Sequence, residues 1–347
     1  MSRPAGDPRP TCRPIPPRET RSRNTEKVNL GDLVGQNLGS PAVLAFVLGA
    51  VAVRLKSDLR FPEAVTSLLS TYLLLAIGLK GGLRLRHAAL DDLVWPLAGT
   101  VVLGIVTPLV TYVVARRFLD KGPADSASLA AHYGSVSAVT FTAAETFAKN
   151  AGTLDENYLA ALVAVLEVPG IVVALLIASR VLGSGSLRSA VHEVLTGRSV
   201  VLLIGGLIIG LVASEKSATL VEPLFVDLFA GVLVLFLLDL GVLAGKRLDA
   251  VREAGARFVV FAIGLPVIFG VLGAVIGTAA GLSVGGVTVL ATMAASASYI
   301  AAPAAVRIGL PSADGGLALA AALGITFPFN LVIGIPLYAE LANRLAA

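Results

Sequence analysis

FVVFAIGLPVIFGVLGAVIGTAAGLSVGGVTVLATMAASASYIAAPAAV, residues 258–306, contains no Asp, Glu, Lys or Arg. A helix needs about 20 apolar residues to cross a bilayer, and this stretch holds two such windows. The rest of the chain reads the same way. Of 347 residues, 56% are hydrophobic and only 14% charged, with mean hydropathy +0.84, against roughly 25% charged in soluble domains. A soluble enzyme of this size has no means of keeping so much apolar surface from water. An outer-membrane barrel would alternate apolar and polar residues along each strand, which this chain does not. The charges are too few and too clumped for a nucleic-acid-binding domain, despite a pI of about 9.3. Cys12 alone allows no internal disulfide or thiolate metal cage. His87, His132 and His192 form no metal motif. The chain reads as an all-α polytopic membrane protein.

Outward from 258–306, apolar windows fall at about 40–55, 61–79, 93–116, 126–149, 157–181, 199–214, 221–244, 256–280, 285–305 and 317–342, ten in all. The first and sixth are short. The second is amphipathic, carrying Glu63, Thr66, Ser67, Ser70 and Thr71, and is expected to face other protein. The segment near 186–197 is too polar to span and reads as an interfacial helix. The chain repeats itself at an offset of 161 residues: Pro62 falls on Pro223, Leu79 on Leu240, Arg86 on Arg247, Ser135 on Ser296 and Ser137 on Ser298. Near the end the offset slips to 159, placing Pro169 on Pro328. Five spans is an odd number, so the second copy enters the membrane from the opposite side. Such five-plus-five inverted repeats mark secondary transporters.

The expected organisation is a polar tail at 1–38, a first five-helix repeat at 39–182, a cytoplasmic linker at 183–198 and a second, inverted repeat at 199–347. The tail, residues 1–40 at its widest, holds six prolines and seven Lys/Arg, a disordered composition without the apolar core of a signal peptide. A start codon at Val28 would remove most of it. Loops after the odd-numbered spans carry 14 Lys/Arg, among them Arg60, Arg198, Lys246 and Arg247. The other face carries six beyond the tail. The excess faces the cytoplasm, so both termini are expected outside, in a bacterial plasma membrane.

Two spans at corresponding places in the repeats differ from the rest. HYGSVSAVTFTAAETFA (132–148) and TMAASASYIAAPAAV (292–306) are rich in Gly, Ala, Ser and Thr. Gly134 and Pro303 are expected to break them, with Pro169 and Pro328 freeing backbone in spans 5 and 10. Freed backbone at membrane depth is tolerated only around a cavity or polar ligand. Two half-helix N-termini meeting at the midplane would direct N–H groups and positive dipole ends at a small anion. Candidate anion contacts are Gly134, Ser135, Ser137, Thr140, Ser296, Ser298 and Tyr299. Close packing of helices through small residues is the alternative reading. Acids within spans are costly and are functional candidates by default. They are Glu145, Glu167, Asp227 and Asp239, with Asp239 able to pair with Lys80. Glu167, in LEVPG, is the leading cation ligand or proton carrier, and Asn330, in TFPFN, stands at the equivalent place.

Six stretches carry a resemblance: LLLAIGLKGGLRLR (73–86), HYGSVSAVT (132–140), LEVPGIV (166–172), GGVTVLATMAASAS (285–298), IGLPSAD (308–314) and ITFPFNLVIGIPLY (325–338). In these the chain resembles the sodium-dependent bicarbonate transporters, the SbtA-type permeases of cyanobacteria and other bacteria. The resemblance implies Na⁺-coupled anion uptake, homotrimers, and control by a PII-like protein at the cytoplasmic face. It places the substrate where the broken helices cross, at Ser135, Ser137, Thr140, Ser296 and Ser298. One position departs: Tyr299 stands where the family's motif carries an aspartate.

The expected function is secondary active import of a small inorganic anion, bicarbonate first, coupled to Na⁺. The alternatives are a different anion, proton coupling, or a receptor or scaffold. No catalytic residues, resident cofactor or nucleic-acid partner are expected, since neither HExxH, paired GxGD aspartates nor a serine–lysine pair is found at membrane depth.

Overall fold

The computed structural model describes residues 30–86, 90–182 and 187–346, and among them every regular element is a helix. Helix α1 is Leu30–Leu38, α2 Pro41–Arg54, α3 Glu63–Leu85, α4 Leu90–Arg117, α5 Pro123–Gly134, α6 Ala138–Asn150, α7 Leu159–Leu182, α8 Leu187–Thr196 and α9 Arg198–Val212. Helix α10, Glu215–Glu222, runs through a π-helical turn at Pro223–Asp227 into α11, Phe229–Ala254. Then come α12 Ala256–Ala279, α13 Val284–Ala294, α14 Ala301–Gly309 and α15 Gly315–Ala321. A π turn at Ala322–Thr326 leads to α16, Phe327–Phe329, and a second at Asn330–Gly334 leads to α17, Ile335–Ala346.

Six helical stretches are long and apolar enough to cross a membrane: Glu63–Leu85, Asp91–Arg117, Leu159–Val181, Glu215–Asp249, Ala256–Ala279 and Gly315–Ala346. Pro41–Arg54, Arg198–Val212 and Val284–Ala294 are apolar but shorter. Exposed large apolar side chains on α2, α4, α9 and α12, such as Leu48, Val102, Val201 and Ile268, form outward faces that suit lipid rather than water. Helix α1 lies within the segment read as polar tail. Residues 1–29, with Cys12, lie outside the described residues, as do 87–89 and 183–186.

Packing pairs the two halves of the chain. Helix α3 lies along α9, and α2 lies along α11. Glycines set the closeness of the first pair. A Cβ on Gly78 would come within 2.4 Å of the Leu203 carbonyl oxygen, and one on Gly82 within 2.1 Å of that of Leu207. Gly206 and Gly210 answer from α9, so both helices carry the four-residue glycine spacing that lets backbones touch in a membrane.

The broken spans run through the middle. Every residue from Ser126 to Thr142 and from Gly285 to Ser298 is buried. That placement explains their composition: small side chains let helices pass close on all sides, and no lipid-facing Leu or Ile is needed.

The prolines act differently from expectation. Helix α7 continues through Pro169 without a break, and the ring packs against Gly104 of α4, whose missing side chain leaves room for it. Pro328 does not break the last helix either. It sits in α16 between two π turns, whose wider backbone absorbs the lost hydrogen bond. Pro303 is the third residue of α14, after the break has ended, where a missing N–H leaves no intrahelical bond unmade. Lys80 does not pair with Asp239. Its ammonium lies 3.3 Å from the Phe229 ring centroid, while Asp239 accepts a 2.7 Å hydrogen bond from the Thr66 hydroxyl.

Candidate functional site

Helix α5 ends at Gly134 because Ser135 turns to extended backbone, φ −112° and ψ 157°. Ser137 is extended too, at φ −93° and ψ 112°, and its hydroxyl caps α6 by accepting from the Thr140 N–H at 3.2 Å. Gly134 serves by size. A Cβ there would meet Pro108 at 2.7 Å, and one on Gly170 of α7 would lie 1.7 Å from the Gly134 carbonyl oxygen. The second break runs from Ala295 to Ile300. There Ile300 holds the N-cap position of α14 without a side-chain bond, and Ser298, two residues earlier, accepts from the Ala301 and Ala302 N–H groups, both at 3.3 Å. Ser137 and Ser298, at matching places by the 161-residue offset, thus each accept from the first turn of the following helix, Ser137 alone from the N-cap position.

The two breaks touch. The Ser137 N–H donates to the Ser296 hydroxyl oxygen at 2.9 Å, and the Ser298 N–H donates to the His132 carbonyl at 2.7 Å. The Ser296 hydroxyl donates in turn to the Met293 carbonyl at 2.8 Å. The structure therefore brings Gly134, Ser135, Ser137, Thr140, Ser296 and Ser298 into one buried crossing. Donors are not equally free there. At the start of α14, Ala301 and Ala302 share Ser298, and Pro303 has no N–H to give. At the start of α6, the Ala138 and Val139 N–H groups meet no acceptor among the described residues.

Several polar atoms in the region also lack partners. The buried Ser135 and Tyr299 hydroxyls have none among the described residues, and the Tyr299 ring packs edge-on to Phe327 at 5.5 Å. Glu167 is buried with Oε2 unpartnered. It stands on α7 one turn before Gly170, the glycine against the break. Asn330 holds the second break in place: its amide donates to the Ala295 carbonyl at 2.7 Å, and its Oδ1 accepts from the Tyr338 hydroxyl at 3.4 Å. His132 escaped the sequence reading. It is fully buried, one ring nitrogen meets the Ser128 carbonyl at 2.8 Å, and Nε2 has no partner. Its place in HYGSVS sets it near the break, but nothing in the sequence marks it apart from its neighbours.

A vestibule of about 600 Å³ leads to the second break, ending at Tyr299 and Ile300. Arg60, Arg198, Lys246 and Arg247 line it against the acids Glu63 and Asp239, giving the wall a cationic excess. All four cations belong to the loop set expected on the cytoplasmic face. A second hollow of about 600 Å³ is lined by Asp91, Asp92, Asp155 and Glu156, from loops expected on the other face. Glu145 is not a lone buried charge: it pairs with Lys149 at 2.5 Å and Arg84 at 3.2 Å. Asp227 is exposed.

Apolar spans around a buried polar crossing of two interrupted helices define a multi-pass helical membrane protein. The chain belongs to the Na⁺-dependent bicarbonate transporter superfamily, whose family model matches residues 41–343. That is a family of transporters, not of enzymes. No curated protein matches the chain.

Proposed function

We propose that this chain is a secondary active transporter that imports a small inorganic anion, bicarbonate first, together with Na⁺. The observation that carries the reading is the contact between the two breaks, with the N-termini of α6 and α14 beginning at the crossing. An anion there meets positive helix ends and the unpaired Ala138 and Val139 N–H groups. Gly134 lets the backbone come close, and Ser135, Ser137, Thr140, Ser296, Ser298 and Tyr299 line the contact. Glu167, with Asn330 supporting the second break, supplies oxygen for the cation.

In this reading the chain forms ten spans as two inverted five-helix repeats, with both termini outside a bacterial plasma membrane. The exchange of partners between halves, α3 with α9 and α2 with α11, supports the repeat. The cationic vestibule is then the cytoplasmic exit. It collects anions without fixing which anion. Homotrimers and a PII-like regulator at the cytoplasmic face complete the picture. A second reading, a carrier of another anion or one coupled to protons, is favoured by one observation: Tyr299 brings a phenol where a carboxylate would have helped bind Na⁺. Uptake of labelled bicarbonate into proteoliposomes, competed by nitrate, sulfate or formate, tests both readings. Uptake above that of protein-free vesicles, competed weakly by the other anions, is expected. Uptake equal to that of empty vesicles would contradict transport, and strong competition by one rival would move the substrate to it.

A further inference from the structure

Six buried threonines in the membrane helices, Thr100, Thr107, Thr111, Thr142, Thr288 and Thr292, close their hydroxyls on the carbonyl one turn back. Ser70 of α3 has the same opportunity and does not take it. It is 3% exposed, and its hydroxyl has no partner among the described residues. A buried hydroxyl left unpaired costs free energy that a helix normally avoids by back-bonding; Ser128 of α5 is open too, and what sets Ser70 apart is the pair of hollows it borders.

Its surroundings say which kind of ligand. Ser70 lines the inner part of the cationic vestibule with Phe236, Tyr299 and Ile300. It also lines a small void of about 10 Å³ against Ala138, Val139 and Thr142, the first turns of α6, whose other walls are the apolar Leu73, Leu74, Ile77, Phe236 and Ile300. That void has room for about one water, so a small oxyanion between Ser70 and α6 requires its walls to move apart. The same side chain therefore borders both the anion route and the helix start whose Ala138 and Val139 N–H groups are unpaired. Ser70 comes from α3, which packs on α9, and not from either broken helix.

We infer that Ser70 is a substrate contact: its hydroxyl donates to a small oxyanion held at the N-terminus of α6, and so completes the site from the α3 side. The inference rests on the transport reading above and deepens it. A tetrahedral or planar oxyanion has more acceptor atoms than two backbone N–H groups can satisfy, and a hydroxyl opposite them binds a further oxygen. Phe236 and Ile300, shared with Ser70 by the vestibule and the void, are the side chains that lie between the two.

The test is uptake of labelled bicarbonate by full-length wild type and Ser70→Ala in proteoliposomes. The variant is expected to raise the KM for bicarbonate at least about tenfold, the size of a lost hydrogen bond to a charged ligand. Its maximal rate and half-saturating Na⁺ concentration should stay within about twofold. As a second measurement, Ser70→Cys in a Cys12→Ser background is treated with a cationic thiol reagent. Bicarbonate should slow the labelling. Normal wild-type uptake with an unchanged KM in Ser70→Ala, or with labelling of Ser70→Cys indifferent to bicarbonate, would overturn the assignment and leave the transport reading standing. No uptake by the wild type would remove both.

Discussion

At the scale of single residues, Ser137 and Ser298 each perform two tasks that can be separated. Ser137, as the N-cap of α6, and Ser298, just outside α14, accept from the first turns of those helices, and losing such a bond costs about 1 kcal/mol of stability. As hydroxyls beside the anion they retain a proton to donate. Ser137→Ala and Ser298→Ala should therefore each lower the melting temperature slightly and weaken anion binding by roughly ten- to hundredfold. Equilibrium binding and thermal melts on the same samples check this, and a melt shift with unchanged affinity would leave both serines as helix-start acceptors alone. Glu167 calls for a different substitution. Gln keeps the size and a carbonyl oxygen but removes the charge, so a structural role survives it and a cation role does not. Glu167→Gln is expected to fold and to lose most of the Na⁺ dependence of uptake, measured against Na⁺ concentration at fixed pH. A wild-type Na⁺ response in the variant would clear Glu167 of that role.

The serines were legible in the sequence because the repeat places them in register and because Ser clusters are rare in apolar spans. Their capping partners were not, since N-caps depend on where each break falls. Ser70 and His132 were hidden for another reason. Both are ordinary polar residues in the text of the sequence, and what singles them out is a missing hydrogen-bond partner, a tertiary property.

At the scale of elements, the positions of the interrupted spans follow from composition, while the cause of each break does not. Gly134 and Pro303 were natural suspects by propensity. The first break is instead made by the extended Ser135 and Ser137, and the two breaks are joined by the Ser137–Ser296 and Ser298–His132 hydrogen bonds. Pro169 fits against Gly104, and Pro328 is absorbed by π turns, so tertiary packing overrides the local preference of proline. The same logic governs α3 and α9, where a side chain at Gly82 would meet Leu207 backbone. Gly82→Leu is expected to drive the pair apart and lose most of the folded protein, read as a monodisperse peak in detergent. Leu at Gly205, whose Cβ would meet nothing within 4 Å, should be tolerated. Equal recovery of the two variants would mean that this contact does not hold the halves together.

At the scale of the whole molecule, apolar content made the membrane class plain, and the charge gap between Arg257 and Arg307 made it plain within one stretch. Orientation rests on loop charge alone. A cysteine replacing Ser189 of α8, in a Cys12→Ser background, should react only with reagents that reach the cytoplasm. Labelling by an impermeant reagent on intact cells would invert the topology and turn the cationic vestibule outward.

If the crossing couples movement of a small anion to Na⁺, a Na⁺ gradient alone must drive the anion uphill. Proteoliposomes holding the purified chain are given labelled bicarbonate at equal concentration inside and out, and an inward Na⁺ gradient is imposed. Accumulation above the starting level is expected, collapsing when a sodium ionophore dissipates the gradient. Equilibration without accumulation, unaffected by the gradient or the ionophore, would contradict the coupling.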